Sequence, residues 1–206
     1  MVSLKKIFPV LAIGCLLLTS ACTKKIAIAN AFPEVDKSKV STQQGDDFDA
    51  YLMQHYAKQI GTAAPNISFK ALTTSSEGTI KNLTTDFKDK IVILNFWFAQ
   101  CVPCITEIPS LKELVKNYED KDVELISITI DNEEKTKELI SKHNLTYMVA
   151  ANGKALAQTY GVKSYPTTFL INKKGNIERV FFGASDWDGT YTYKEIKPFL
   201  EELLEN

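Results

Sequence analysis

Residues 91–111 read IVILNFWFAQCVPCITEIPSL, and the whole fold can be read outward from them. Residues 91–98 are short, β-branched and aromatic, the composition of a buried strand. Ile105, Ile108, Leu111, Leu114, Val115 and Tyr118 then recur at helical spacing, in a helix that Pro109 should kink. Cys101 and Cys104 therefore fall where a strand turns into a helix. A helix N-terminus carries partial positive charge and unpaired N–H groups. Both favour a thiolate, and can lower a cysteine pKa from about 8.5 to between ~3.5 and ~7.5. Cys101, nearer the helix start, should gain most. Pro103 is tolerated because the first helical turn has no N–H partner to lose.

Downstream, 123–130 reads as another buried strand, Asp131 as the cap of a helix running to about 142, and 147–150 as a short strand. A short helix over 154–160 is closed by Gly161. Ser164, Tyr165 and Pro166 lead into a strand over 167–172, a turn follows at 173–176, and 177–182 returns antiparallel. A final helix covers about 193–204. The alternation of strand and helix around the cysteines argues for a parallel sheet with helices on both faces.

Upstream, 67–72 and 79–81 are strand-like around a turn at 75–78, which predicts a hairpin. Phe48, Tyr51, Leu52, His55 and Tyr56 lie at helical spacing behind a possible cap at Asp46, and Gly61 closes the pattern. This helix should dock on the main domain, with His55 in a packing role, because no second ligand-bearing residue accompanies it.

With 206 residues, 45% hydrophobic and 24% charged, the chain suits one globular domain with attachments. A formal charge of −1 and the lack of a basic block exclude a nucleic-acid role. Residues 1–21 look like an export signal: Lys5 and Lys6, an apolar core over 7–18, then small residues before Cys22. The apolar run is shorter than the ~20 residues a bilayer span needs. LTSAC, ending at Cys22, resembles a bacterial lipobox, whose cysteine is lipidated; LAIGC, ending at Cys15, is a rival, and an ordinary cleaved signal the other reading. The expected organisation is signal 1–21, tether 22–45, N-terminal helix 46–63 and main domain 64–206.

Only Cys101 and Cys104 belong to the folded body, as a redox couple, half a metal site, or a static disulfide. Zinc wants about four ligands; no other cysteine follows Cys22, and His55 and His143 are far away and unpaired. A static disulfide closing so short a loop contributes little. The redox reading is preferred: Cys101 is expected as the exposed thiolate that forms a mixed disulfide, and Cys104, one turn in and more buried, as the thiol that resolves it. Val102 and Pro103 should help set the potential.

NFWFAQCVPCITEIPSL, with SYPTTFLINKKGNI downstream, resembles the thioredoxin superfamily, specifically its TlpA/ResA-like branch of exported thiol-disulfide oxidoreductases. The likeness runs from about Ala64 to the C-terminus. It implies an α/β thioredoxin-like fold, a central mixed β-sheet flanked by helices, with an N-terminal hairpin and a central insertion. It also implies a cis peptide between Tyr165 and Pro166, placed against the cysteine pair, and no cofactor beyond a redox-active Cys101–Cys104 disulfide. Glu107 matches the position of a functional glutamate in the ResA-like branch; the alternative is a solvated helix-face residue. Two residues depart from the pattern. Gln100 stands where tryptophan usually precedes the first cysteine, and Asn95 stands where thioredoxin keeps a buried aspartate. Trp97 is expected to pack and shape the site. The resemblance further implies a membrane-anchored reductant facing the periplasm or cell exterior, a transmembrane thiol electron donor, and protein disulfide substrates, with cytochrome c maturation as one setting. The rivals are a thioredoxin-fold binding module with a passive pair, and a peroxiredoxin-like thiol peroxidase.

Overall fold

The computed structural model describes residues 40–41, 46–73, 76–183 and 191–205. The expected signal, the expected lipidation site Cys22 and most of the expected tether lie outside these residues. Eight strands pair into one mixed sheet: β1 (Val40–Ser41), β2 (Ser68–Thr73), β3 (Ser76–Asn82), β4 (Ile91–Trp97), β5 (Val123–Thr129), β6 (Met148–Ala150), β7 (Thr167–Ile171) and β8 (Ile177–Phe182). Their spatial order is β1-β8-β7-β4-β5-β6-β2-β3. β4, β5 and β6 run parallel, while β7 lies antiparallel to both β4 and β8. The alternation predicted a parallel sheet, and that holds for β4, β5 and β6; β7 follows β6 through a helix yet runs antiparallel to β4, and β2 runs antiparallel to β6, so the sheet is mixed.

All seven residues of β4 are buried, as a strand covered on both faces must be. Its side chains alternate between two cores. Val92, Leu94 and Phe96 join one, which receives Leu52 and Tyr56 of α1 (Asp46–Ala57), Leu83 of α2 (Leu83–Asp86) and Ala157 of α6 (Lys154–Thr159). Ile91, Ile93 and Trp97 join the other, beneath α3 (Val102–Thr106), α4 (Ile108–Asn117), α5 (Glu133–His143) and α7 (Tyr191–Glu205). α1 docks through Tyr56, whose ring meets Phe169 and Phe182 at 5.9 and 5.4 Å. Phe48 and Tyr51, grouped with that face by spacing, are instead exposed.

Several local expectations are corrected. The helix after the cysteines is not kinked but divided: α3 ends at Thr106 and α4 begins at Ile108. Pro109 has no N–H to offer the carbonyl of Ile105, so the hydrogen-bond ladder is interrupted there. The hairpin turn is tighter than expected, because Thr73 pairs with Ser76 and Gly78 sits inside β3 at φ +94°. Val40 and Ser41, assigned to the tether, form a parallel pair with Val180 and Phe181.

The cap of α5 is Asn132, not Asp131: Asn132 Oδ1 accepts the Lys135 N–H at 2.8 Å. Losing such a cap typically costs about 1 kcal/mol. Asn132→Ala should lower the unfolding free energy by that amount in a urea titration.

Candidate active site

The site forms where β4 ends. Because β7 runs antiparallel to β4 and pairs Thr167 with Phe96, the residues just before β7 are brought to the cysteine end of β4. The Tyr165–Pro166 peptide is cis. Pro166 is buried, while Tyr165 is half-buried with its ring edge-on to Phe98 at 5.3 Å. The turn between β4 and α3 is held from β5: Asp131 Oδ2 accepts the Ala99 N–H at 2.7 Å and the Thr129 hydroxyl. Sequence reasoning spent Asp131 on a helix cap and so missed this role.

Cys101 caps α3, its Sγ accepting the Cys104 N–H at 3.3 Å, and the two sulfurs are joined by a disulfide. The expectation of an exposed Cys101 is corrected. Cys101 is 6% exposed and Cys104 1%. Both belong to the core that contains Trp97, Ile108 and Leu111, with Tyr165 packed against it. The outer cover of the helix start is Val102, 65% exposed, with Pro103 and Gln100 also facing solvent. Trp97 is buried, and its Nε1–H has no hydrogen-bond partner among the described residues.

Glu107 is not a solvated helix-face residue: it is 3% exposed, at the break between α3 and α4. Asn95 Nδ2 donates to its Oε1 at 2.8 Å, and the Thr192 hydroxyl donates to its Oε2 at 2.9 Å. Asn95 is fixed in turn, donating to Thr168 Oγ1 at 3.1 Å and accepting from Ser127 Oγ at 3.2 Å through Oδ1. Burial pushes the Glu107 carboxyl up to about 7, against the lowering effect of its two donors. A carboxyl poised there can take or give a proton near neutral pH. Beside it is a cavity just large enough for one water, lined by Glu107, Pro166, Thr168, Thr192 and Glu195.

His55 lies apart from this group: its Nε2–H donates to the Gly161 carbonyl at 2.7 Å. The site thus unites Cys101, Cys104, Trp97, Glu107, Tyr165 and Pro166, with Val102, Pro103 and Gln100 at its rim. Thr192 and Thr168 carried no recognisable local signal, because their partners are distant in sequence.

A model of the AhpC/TSA family matches residues 60–180, more than half of the chain. The chain belongs to the AhpC/TSA family. Within it, the chain is 32% identical over 158 residues to the thiol-disulfide oxidoreductase ResA of Bacillus thuringiensis subsp. konkukian, covering 76% of this chain and 85% of that protein. It is likewise 32% identical over 158 residues to the thioredoxin-like protein YneN of Bacillus subtilis, covering 75% and 86%. The thioredoxin domain of a thiol-disulfide oxidoreductase from Bacteroides vulgatus superposes with a TM-score of 0.55 at 25% identity, over 66% of this chain and 96% of that one. This AhpC/TSA member therefore has the thioredoxin-like fold, is ResA-like, and is a thiol-disulfide oxidoreductase.

Proposed function

We propose that the chain reduces protein disulfides outside the cytoplasm, with Cys101 as attacking thiolate, Cys104 as resolving thiol and Glu107 as proton acceptor. The observation that carries this reading is the buried Glu107, one turn after Cys104 and held ready to ionise near pH 7. In the dithiol form, the Cys101 thiolate attacks one sulfur of a substrate disulfide. That S–S bond breaks, and the other sulfur leaves as a thiolate. Glu107 takes the Cys104 proton, and the Cys104 thiolate attacks Cys101 Sγ. The mixed disulfide breaks, the substrate's second sulfur leaves and is protonated, and the Cys101–Cys104 disulfide remains. Two electrons have passed to the substrate.

No further cofactor enters this cycle, but a thiol donor must return the two electrons. The leader-like residues 1–21 and Cys22 support an exported, lipid-anchored protein, so that donor is assigned to a transmembrane partner. Such compartments are kept oxidising, so a reductant there depends on electrons carried across the membrane. The likeness to the thiol-disulfide oxidoreductase ResA supports disulfide exchange; the reducing direction, with cytochrome c maturation as its setting, is our assignment from the TlpA/ResA-like sequence pattern around the cysteines.

Cys104→Ala should trap the cycle at its midpoint. Proteins linked to Cys101 by a dithiothreitol-reducible bond, recovered from cells expressing the full chain, are the expected result. A folded Cys104→Ala protein that accumulates no such adduct would overturn the mechanism. A reduction potential near that of a strong oxidant, about −120 mV, would overturn the direction.

A further inference from the structure

We propose that Thr192, carried by the C-terminal helix α7, is the positioning residue that receives the Glu107 proton's hydrogen bond and fixes that proton on Oε2. The inference rests on Glu107 as the proton acceptor in the cycle above. It follows from what each partner of the carboxyl can accept.

In the ionised state Glu107 needs donors, and it has one on each oxygen: Asn95 Nδ2 on Oε1 and Thr192 Oγ1 on Oε2. In the protonated state one oxygen becomes an O–H donor and needs an acceptor. Asn95 Nδ2 is an amide NH₂ and can only donate, while its acceptor oxygen is turned to Ser127. Asn95 is locked in that orientation by Thr168 and Ser127, on strands either side of it. A proton on Oε1 would therefore point at a donor. A hydroxyl both donates and accepts. By rotating about its C–O bond, Thr192 serves the carboxylate as donor and the carboxylic acid as acceptor, without moving a heavy atom.

Burial makes the choice matter. Thr192 is 6% exposed, so no bulk water replaces it if its hydroxyl is lost. The Thr192 bond puts Oε2 on the side of α7, and a water-sized cavity there is lined by Glu107, Thr192 and the half-buried Glu195 among others. The other groups around Glu107 do not compete. Thr168 from β7 bonds to Asn95. The Tyr147 phenol, just before β6, is held neutral by burial, to which the Glu107 charge adds. Cys104 on α3 is the group that gives up the proton in the cycle above, and Cys101 caps the same helix.

The test is the pH dependence of protein-disulfide reduction by the full chain with Thr192→Val, Thr192→Ser and Glu107→Gln, alone and combined. Thr192→Val keeps the shape and removes both hydrogen-bonding roles. It should move the ionisation that governs turnover upward by about one pH unit, as expected for the loss of one hydrogen bond to a charged group. Thr192→Ser should restore the parent profile, and Thr192→Val in the Glu107→Gln background should add no shift. The infrared carboxyl band lost in Glu107→Gln reads the same bond directly, and it should move to the frequency of a less hydrogen-bonded acid in Thr192→Val. A Thr192→Val profile and band identical to the parent, while Glu107→Gln alters both, would overturn the role of Thr192 alone. A Glu107→Gln profile identical to the parent would overturn the role of Glu107 itself. Should Thr192→Val fail to fold, Thr192→Ala gives the same reading, with the same shift expected and the same absence of shift decisive against it.

Discussion

Cys101→Ser is expected to reduce insulin no faster than dithiothreitol alone. Serine is a sound choice because it removes the chemistry while keeping the architecture. Cys101 is the N-cap of α3, and a serine hydroxyl accepts the N–H of the first turn at least as well as sulfur does. The hydroxyl is not ionised at neutral pH and cannot form a mixed disulfide, so neither half of the exchange remains. The variant also loses the Cys101–Cys104 cross-link. For so short a loop that should destabilise it by no more than about 2 kcal/mol relative to the oxidised parent, at the low end for a disulfide. Reduced parent and variant should therefore unfold at nearly the same urea concentration. Equal insulin-reduction rates with dithiothreitol for the parent and a folded Cys101→Ser protein would show that the pair is not the reactive centre, as a passive binding module requires.

Glu107→Gln should change both turnover and stability, in opposite directions. General-base assistance typically contributes about a hundredfold or more, and that is the loss expected in the resolving step at pH 7. The stability effect follows from proton linkage. The Glu107 pKa rises from 4.5 to about 7 on burial, so the folded protein binds a proton that the unfolded chain has released. The stabilisation is complete below pH 4.5 and is lost as the pH climbs through about 7. The whole change is on the order of 3 kcal/mol, from the size of the shift. Glutamine carries no charge at any pH and should abolish this dependence. Urea titrations of the oxidised proteins between pH 5 and pH 8 should show the parent losing stability relative to Glu107→Gln. Parallel curves would mean that Glu107 is ionised alike in folded and unfolded chains.

Much of this site was legible because its signals are local. A strand, a turn and a helix start fall within 91–111, and β-branched composition followed by helical spacing is enough to place Cys101 and Cys104 at the junction. The pairing of Tyr165 with a cis proline came from the family pattern and is present in the structure. What could not be read depends on contacts across the sheet. Thr192 meets Glu107 from 85 positions away, and nothing in the composition of α7 marks that threonine among its neighbours. Asp131 and Asn132 are adjacent and chemically similar, so spacing could not show that one caps a helix while the other ties down the Ala99 turn. The low exposure of Cys101 was equally hidden. A helix start suggests access to solvent, but Trp97 and Ile108 share a core with the sulfurs, and that requires the assembled domain.

The outer border of β8 has a consequence for how the molecule behaves among its own copies. A bare strand edge offers unpaired amides and carbonyls to any passing chain. Here the chain itself covers that border in two pieces. Ile177 exchanges hydrogen bonds with Gly61 and Thr62, and Val40–Ser41 lie alongside Val180–Phe181. Residues 40–41 thus act as a short seal on a hydrophobic strand. A truncated protein that begins at α1 would unseal Val180–Phe181 and leave that border open to self-association, whereas one that begins before Val40 keeps it closed.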